Sequence, residues 1–223
     1  VRMQLKEIKD AALGERYFQY TMANGLTVLI CPKPEKSGSF ALLGAKIGSA
    51  TGDFMLGGER ITVPAGVAHF LEHKLFESEQ GDAFTLFAKT GANANAYTSF
   101  DRTCYLFGAS VNVLDSLAIL IDFVSHPHFT AQTVQKEQGI IGQEIKMYDD
   151  SADWVLYTSV LRCLYKELPL REDIAGTVES IARITPQTLY DCYDAFYRPA
   201  NMVLSICGNV RTQDVVDVCE KGY

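Results

Sequence analysis

His69, Glu72 and His73 fall within five residues, in the pattern H-x-x-E-H of the run Gly66 to Phe76. On a helix the two imidazoles project about 40° apart from one face, close enough to share a metal ion, with the Glu72 carboxylate beside them. Imidazoles are zinc ligands, and a nearby carboxylate that does not ligate is a general base, so the chemistry implied is hydrolysis by activated water. The same parts occur in reverse order in H-E-x-x-H metalloproteases. A single buried histidine is ordinarily a core residue. Two of the chain's four histidines on one apolar helix, with a carboxylate between them, are costly to desolvate unless a cation joins them.

Two imidazoles do not complete a catalytic zinc site, which takes three protein ligands and keeps a fourth position for water. The remaining donors are His126, His128, the six cysteines, or a carboxylate from a distant segment. His126-Pro127-His128 reads as a surface loop because of its proline. Cys104 reads as core filling on a strand. Glu137 and Glu144 lie seven residues apart in a helical stretch and so share a face. Gly139 and Gly142 lie between them, and their missing side chains are expected to let that helix approach the metal-bearing one.

The elements that must position these groups follow from periodicity and breakers. Tyr17 to Thr21 and Leu26 to Cys31 flank Asn24-Gly25 and read as a β-hairpin. Ser39 to Gly48 reads as a buried central strand, and Thr51 to Arg60 as a loop. Pro64 suits the first turn of a helix that runs through the metal motif, apolar nearly all round and hence buried. Asp82 to Lys89 reads as a short helix. Gly91 to Thr98 passes through small residues into the strand Thr103 to Ala109.

Further helices are expected over Val113 to Ser125, Thr130 to Tyr148 with Thr130 as N-cap, Asp153 to Tyr165, Thr185 to about Phe196, and Arg211 to Gly222. Met202 to Cys207 reads as a strand ended by Gly208. Strands and helices mix without regular βαβ alternation, so the expected class is α+β, a sheet covered by helices in one domain over residues 1–223.

Composition narrows the setting. With 223 residues, 48% hydrophobic and 21% charged, the chain can fill a sizeable core. A net charge of −7 without any Lys/Arg cluster argues against nucleic-acid binding. No apolar stretch nears the roughly 18 residues of a membrane span, and Val1 to Arg16 has no apolar signal segment. Six scattered cysteines without a C-x-x-C pair fit a reducing cytoplasm.

His69-Phe70-Leu71-Glu72-His73, the run Asn95-Ala96-Tyr97-Thr98, and the pair Glu137 and Glu144 some 70 residues downstream resemble the insulinase and pitrilysin family of zinc peptidases, the inverzincins. Gly66 to Glu77, Ala94 to Thr98 and Gly139 to Asp150 are most similar to a bacterial subgroup found near genes for peptide maturation and elongation factor P modification. The resemblance implies a mainly antiparallel α+β sandwich built as two homologous halves, of which this chain is similar to the metal-bearing one.

It also implies zinc held by His69, His73 and Glu144, Glu72 as base, and Glu137 as the partner of a ligating imidazole. A peptide substrate is expected along Asn95, Ala96 and Tyr97, Asn95 through its amide and the other two through backbone groups. The implied function is a zinc endopeptidase completed by a second half or partner subunit. The alternative is a non-catalytic partner subunit of a paired insulinase-like peptidase.

Overall fold

The computed structural model describes residues 5–79 and 81–223. In chain order it contains β1 (Lys6–Asp10), β2 (Glu15–Thr21), β3 (Thr27–Pro32), β4 (Ser39–Ala45), a small hairpin of β5 (Phe54–Leu56) and β6 (Glu59–Ile61), and helix α1 (Val67–Leu75). There follow a two-residue ladder of β7 (Glu77–Ser78) and β8 (Gly81–Asp82), α2 (Ala83–Thr90), β9 (Asn93–Thr98), β10 (Thr103–Ala109), α3 (Val113–Ser125), α4 (Ala131–Asp149) and α5 (Ala152–Leu164). The chain closes with α6 (Val178–Ile181), α7 (Pro186–Phe196), β11 (Met202–Gly208) and α8 (Thr212–Gly222).

Seven strands form one sheet in the order β1-β2-β3-β11-β4-β10-β9. Every neighbouring pair is antiparallel except β11 with β3, so the mainly antiparallel α+β class is what the structure has. β11 inserts between β3 and β4, which leaves β9 at one edge. The β2–β3 turn closes as the sequence demands: Gly25 takes φ 96°, and the Leu26 amide donates to Asn24 Oδ1 at 3.1 Å.

One face of the sheet carries the core. Val28, Ile30, Ala41, Leu43, Tyr105, Phe107, Leu204 and Ile206 are each fully buried, and they cluster with Phe70 and Leu71 of α1, Leu117 and Ile121 of α3, and Leu189 of α7. Alternation along each strand then sends the intervening side chains to the opposite face.

The helices match their sequence signals closely. α3 spans the expected residues, Thr130 caps α4 by accepting from the Thr133 amide, and Thr185 with Pro186 opens α7. Three expectations are corrected. Thr51 to Arg60 is not a plain loop but contains the β5–β6 hairpin, turned at Gly57 and Gly58 with φ 60° and 90°. Pro64 precedes α1 rather than opening it, because the chain turns through Gly66 at φ 90° first. Gly139 and Gly142 do not serve close helix approach, since a Cβ at either would meet nothing within 4 Å. Gly139→Ala is therefore expected to stabilise the fold by about 0.5–1 kcal/mol through helix propensity and unfolded-state entropy, measured as an upward shift of the thermal midpoint.

Candidate metal centre

α1 presents its two histidines together because its other positions are committed to packing. Val67, Ala68, Phe70, Leu71 and Leu75 are buried, while His69 and His73 lie one turn apart with ring centroids 4.6 Å apart. Lys74, fully buried, pairs with Glu77 and ties the end of α1 to β7. The start of the helix is held by a reciprocal glycine contact. A Cβ on Gly66 would meet the Ala175 carbonyl oxygen at 2.4 Å, and one on Gly176 (φ 75°) would meet the Ala65 carbonyl oxygen at 2.5 Å. The Ser180 hydroxyl, donating to the Ala65 carbonyl at 2.8 Å, adds to the lock.

α4 brings the third donor. Glu144 Oε1 lies 3.7 Å from His69 Nε2, and Glu144 Oε2 lies 3.5 Å from His73 Nε2. Ligand atoms about 2.0–2.1 Å from a tetrahedral ion stand roughly 3.3 Å apart, so these separations are close to a ligand triad and longer than good hydrogen bonds. Among the described residues, His69, His73 and Glu144 are the one group of such donors that converges. His126 and His128 do not join it: His126 faces Asp122 at 3.2 Å and His128 faces Glu79 at 3.4 Å.

The surroundings of each imidazole fit a cation. His69 Nδ1 is buried without a hydrogen-bond partner, and Nε2 is the ring nitrogen turned toward Glu144 and free to ligate. Burial, and then the neighbouring His73, push the His69 pKa from 6.5 down to about 3, so the ring stays neutral, as a ligand must. For His73 burial again pulls downward, but the Glu137 hydrogen bond and the charges of Glu72, Glu137 and Glu144 outweigh it and raise its pKa. A proton there partly neutralises the carboxylates, and a divalent ion takes over that task more completely.

Glu137, buried on α4 one heptad before Glu144, has its Oε1 3.0 Å from His73 Nδ1. With the Nδ1 proton donated to Glu137, the Nε2 lone pair faces Glu144 and the ion position. Glu137→Ala is expected to weaken zinc binding about 10–100-fold with the fold retained, as read by competition with a chromogenic chelator.

Glu72 is buried and stands apart from the triad. Its Oε2 accepts a 2.6 Å hydrogen bond from Thr98 Oγ1 on β9. Burial raises its pKa above the usual carboxylate range, against the lowering pull of Thr98 and His73. A carboxyl tuned toward neutrality is suited to proton transfer.

Two clefts meet at the centre and share Glu72, His73 and Ala96 in their walls. One, of about 240 Å³, is lined further by Tyr97, Tyr148, Trp154 and Asp173. The other, of about 550 Å³, takes in Phe76, Phe84, Asn95, Lys136 and Ile140. β9 runs along both, and among the described residues no strand pairs with its outer edge. The Asn95 side-chain oxygen accepts from the Ala96 amide at 2.9 Å, so that amide is covered by the chain itself.

Sequence reasoning missed Thr98 as the partner of Glu72, and Tyr148, Trp154 and Asp173 as cleft residues. Tyr148 was within reach: it lies four residues after Glu144 on α4, hence on the same face, and lines the same cleft as that carboxylate. Trp154 donates its indole N–H to Asp173 at 2.7 Å, a contact between distant segments that no local pattern announces.

Comparison with known proteins agrees with this geometry. The model of the insulinase family, peptidase family M16, matches residues 62–178, and the model named Peptidase M16 inactive domain matches residues 183–222. Zinc protease YmfH of Bacillus subtilis is 51% identical over 214 residues, which cover 95% of this chain and 50% of that protein. A zinc protease of Rickettsia bellii is 31% identical over 214 residues, covering 94% and 50%. The crystal structure of an M16-like peptidase from Alicyclobacillus acidocaldarius superposes with TM-score 0.90 at 40% identity, over 100% of this chain and 51% of that one. The chain thus spans about half the length of the relatives it matches. With the motif inside the matched region and the fold shared along its whole length, the chain belongs to the insulinase family of peptidases, family M16.

Proposed function

We propose that the chain, one unit over residues 1–223, is the metal-bearing half of a zinc endopeptidase that processes or degrades peptides. The observation that carries this reading is the convergence of His69 Nε2, His73 Nε2 and the Glu144 carboxylate, with buried Glu72 beside them but held by Thr98. Relatives named zinc proteases support the choice of metal. When bound, zinc supplies Lewis acidity and lowers the pKa of a coordinated water from about 15.7 to about 7.

The chain's own residues do the rest. His69, His73 and Glu144 fix the ion, and Glu137 fixes the His73 tautomer. Glu72 accepts a proton from the attacking water and passes it to the leaving amine, while the Thr98 hydroxyl keeps the carboxylate aimed. An extended peptide pairs with the open edge of β9 through Ala96 and Tyr97 backbone groups, displacing the Asn95 side chain from the Ala96 amide and freeing the Asn95 amide for a substrate carbonyl. Its side chains on either side of the scissile bond enter the two clefts.

Because the chain spans half its relatives, a homologous second half is proposed as the partner that completes the substrate chamber. The described residues contain no helix long and apolar enough to cross a membrane. The six cysteines are free, which supports a reducing, cytoplasmic setting. The test is cleavage of a fluorogenic peptide library by the zinc-loaded chain, alone and mixed with a second half. Zinc-dependent, chelator-sensitive cleavage in either state is expected. Silence in both, with one zinc bound, favours the non-catalytic partner reading.

A further inference from the structure

α5 supplies a wall of the smaller cleft, yet little apolar burial holds it there. Of its 13 residues only Thr158 is buried, while Val155, Leu156, Tyr157, Val160 and Leu164 are exposed. Packing of an apolar face, the usual source of a helix's fixed position, is therefore small. The residue that reaches the cleft is Trp154, half-buried, with its ring centroid 5.0 Å from that of Tyr148 on α4. Its indole N–H donates to Asp173 Oδ2 at 2.7 Å, a charge-assisted bond. The second oxygen, Asp173 Oδ1, accepts from the Ala175 amide at 3.0 Å, and the Asp173 carbonyl accepts from the Gly176 amide at 2.9 Å.

The turn so formed is the one pressed against the metal-bearing helix. The Ala175 carbonyl abuts Gly66 at the start of α1, and Gly176 abuts the Ala65 carbonyl. Contacts thus run from the cleft wall to the helix of His69 and His73 through one carboxylate that uses both of its oxygens. From this we infer that Asp173 is a positioning residue for substrate: it fixes the Trp154 wall relative to α1, so that the side chain entering the smaller cleft meets a preformed surface. That role rests on the peptidase reading above. Tryptophan has one donor and no acceptor, so with its N–H taken by Asp173 the indole offers the cleft only ring surface. A wall ordered in advance spares the bound peptide the cost of ordering it, which places the effect on binding rather than on the chemical step.

Trp154 is the only tryptophan of the chain, so its emission, excited at wavelengths beyond tyrosine absorption, reports on the wall directly. Asp173→Asn keeps the turn, which asparagine forms as readily as aspartate, but its single oxygen cannot serve two N–H donors. Asp173→Ala removes both acceptors. Expected in both zinc-loaded variants are a shifted emission maximum, stronger quenching by acrylamide, and wild-type zinc content. In the assembly that cleaves peptide, KM is expected to rise about tenfold, the size of one lost charge-assisted bond, with a smaller change in kcat. Trp154→Phe keeps a ring and removes the donor, and in that background Asp173→Asn is expected to add little to KM. Wild-type emission and quenching in both Asp173 variants overturn the inference. So does a KM effect of Asp173→Asn that persists in full beside Trp154→Phe, or a loss confined to kcat. Wild-type cleavage and zinc content test the peptidase reading separately, since the emission of Trp154 requires neither turnover nor a partner.

Discussion

Glu72→Gln is expected to bind zinc at the wild-type stoichiometry and to lower kcat about 10²–10⁴-fold in whichever assembly cleaves peptide, the range a lost general base carries. The substitution keeps the size of the side chain and an oxygen that can still accept from Thr98 Oγ1, so position is preserved and basicity removed. The carboxylate lies outside the converging triad, which is why the metal stays. An unchanged KM with depressed kcat identifies loss of transition-state stabilisation rather than of binding. Loss of zinc together with activity contradicts the assignment of Glu72 as the base.

Glu144→Ala produces the second large effect. Its carboxylate oxygens each face a different imidazole, at 3.7 and 3.5 Å, so its removal opens the triad and leaves two ligands. The fall in zinc affinity is expected to exceed the 10–100-fold loss assigned to an outer partner such as Glu137. A chelator-competition titration of the two variants gives this ordering directly, with His128→Ala as a control of unchanged metal content. Equal affinities for wild type and Glu144→Ala move the third ligand elsewhere.

Where the sequence spoke through local physics, it was legible. The i, i+4 spacing of His69 and His73 placed both on one side of a buried helix, and the seven-residue interval of Glu137 and Glu144 placed those on another. Caps and apolar period located α3, α4 and α7. The choice of Glu144 over other donors came from family resemblance, since spacing alone cannot say which helices meet.

What stayed hidden is tertiary or weakly patterned. β1, KEIKD, has one half-buried residue among exposed ones and so lacks an apolar alternation. The β5–β6 strands are three residues each, too short to stand out beside Gly57-Gly58. Thr98 reaches Glu72 only because the β9 edge packs beside α1. Gly66 and Gly176 are required by a backbone contact between segments more than a hundred residues apart.

Anomalous diffraction at the zinc absorption edge, on crystals of the zinc-loaded chain, locates the ion relative to its three donors. A single peak is expected within about 2.0–2.2 Å of His69 Nε2, His73 Nε2 and a Glu144 oxygen, with Glu72 outside bonding distance. A peak between His126, His128 and Glu79, or a peak at α1 from which Glu144 is absent, contradicts it.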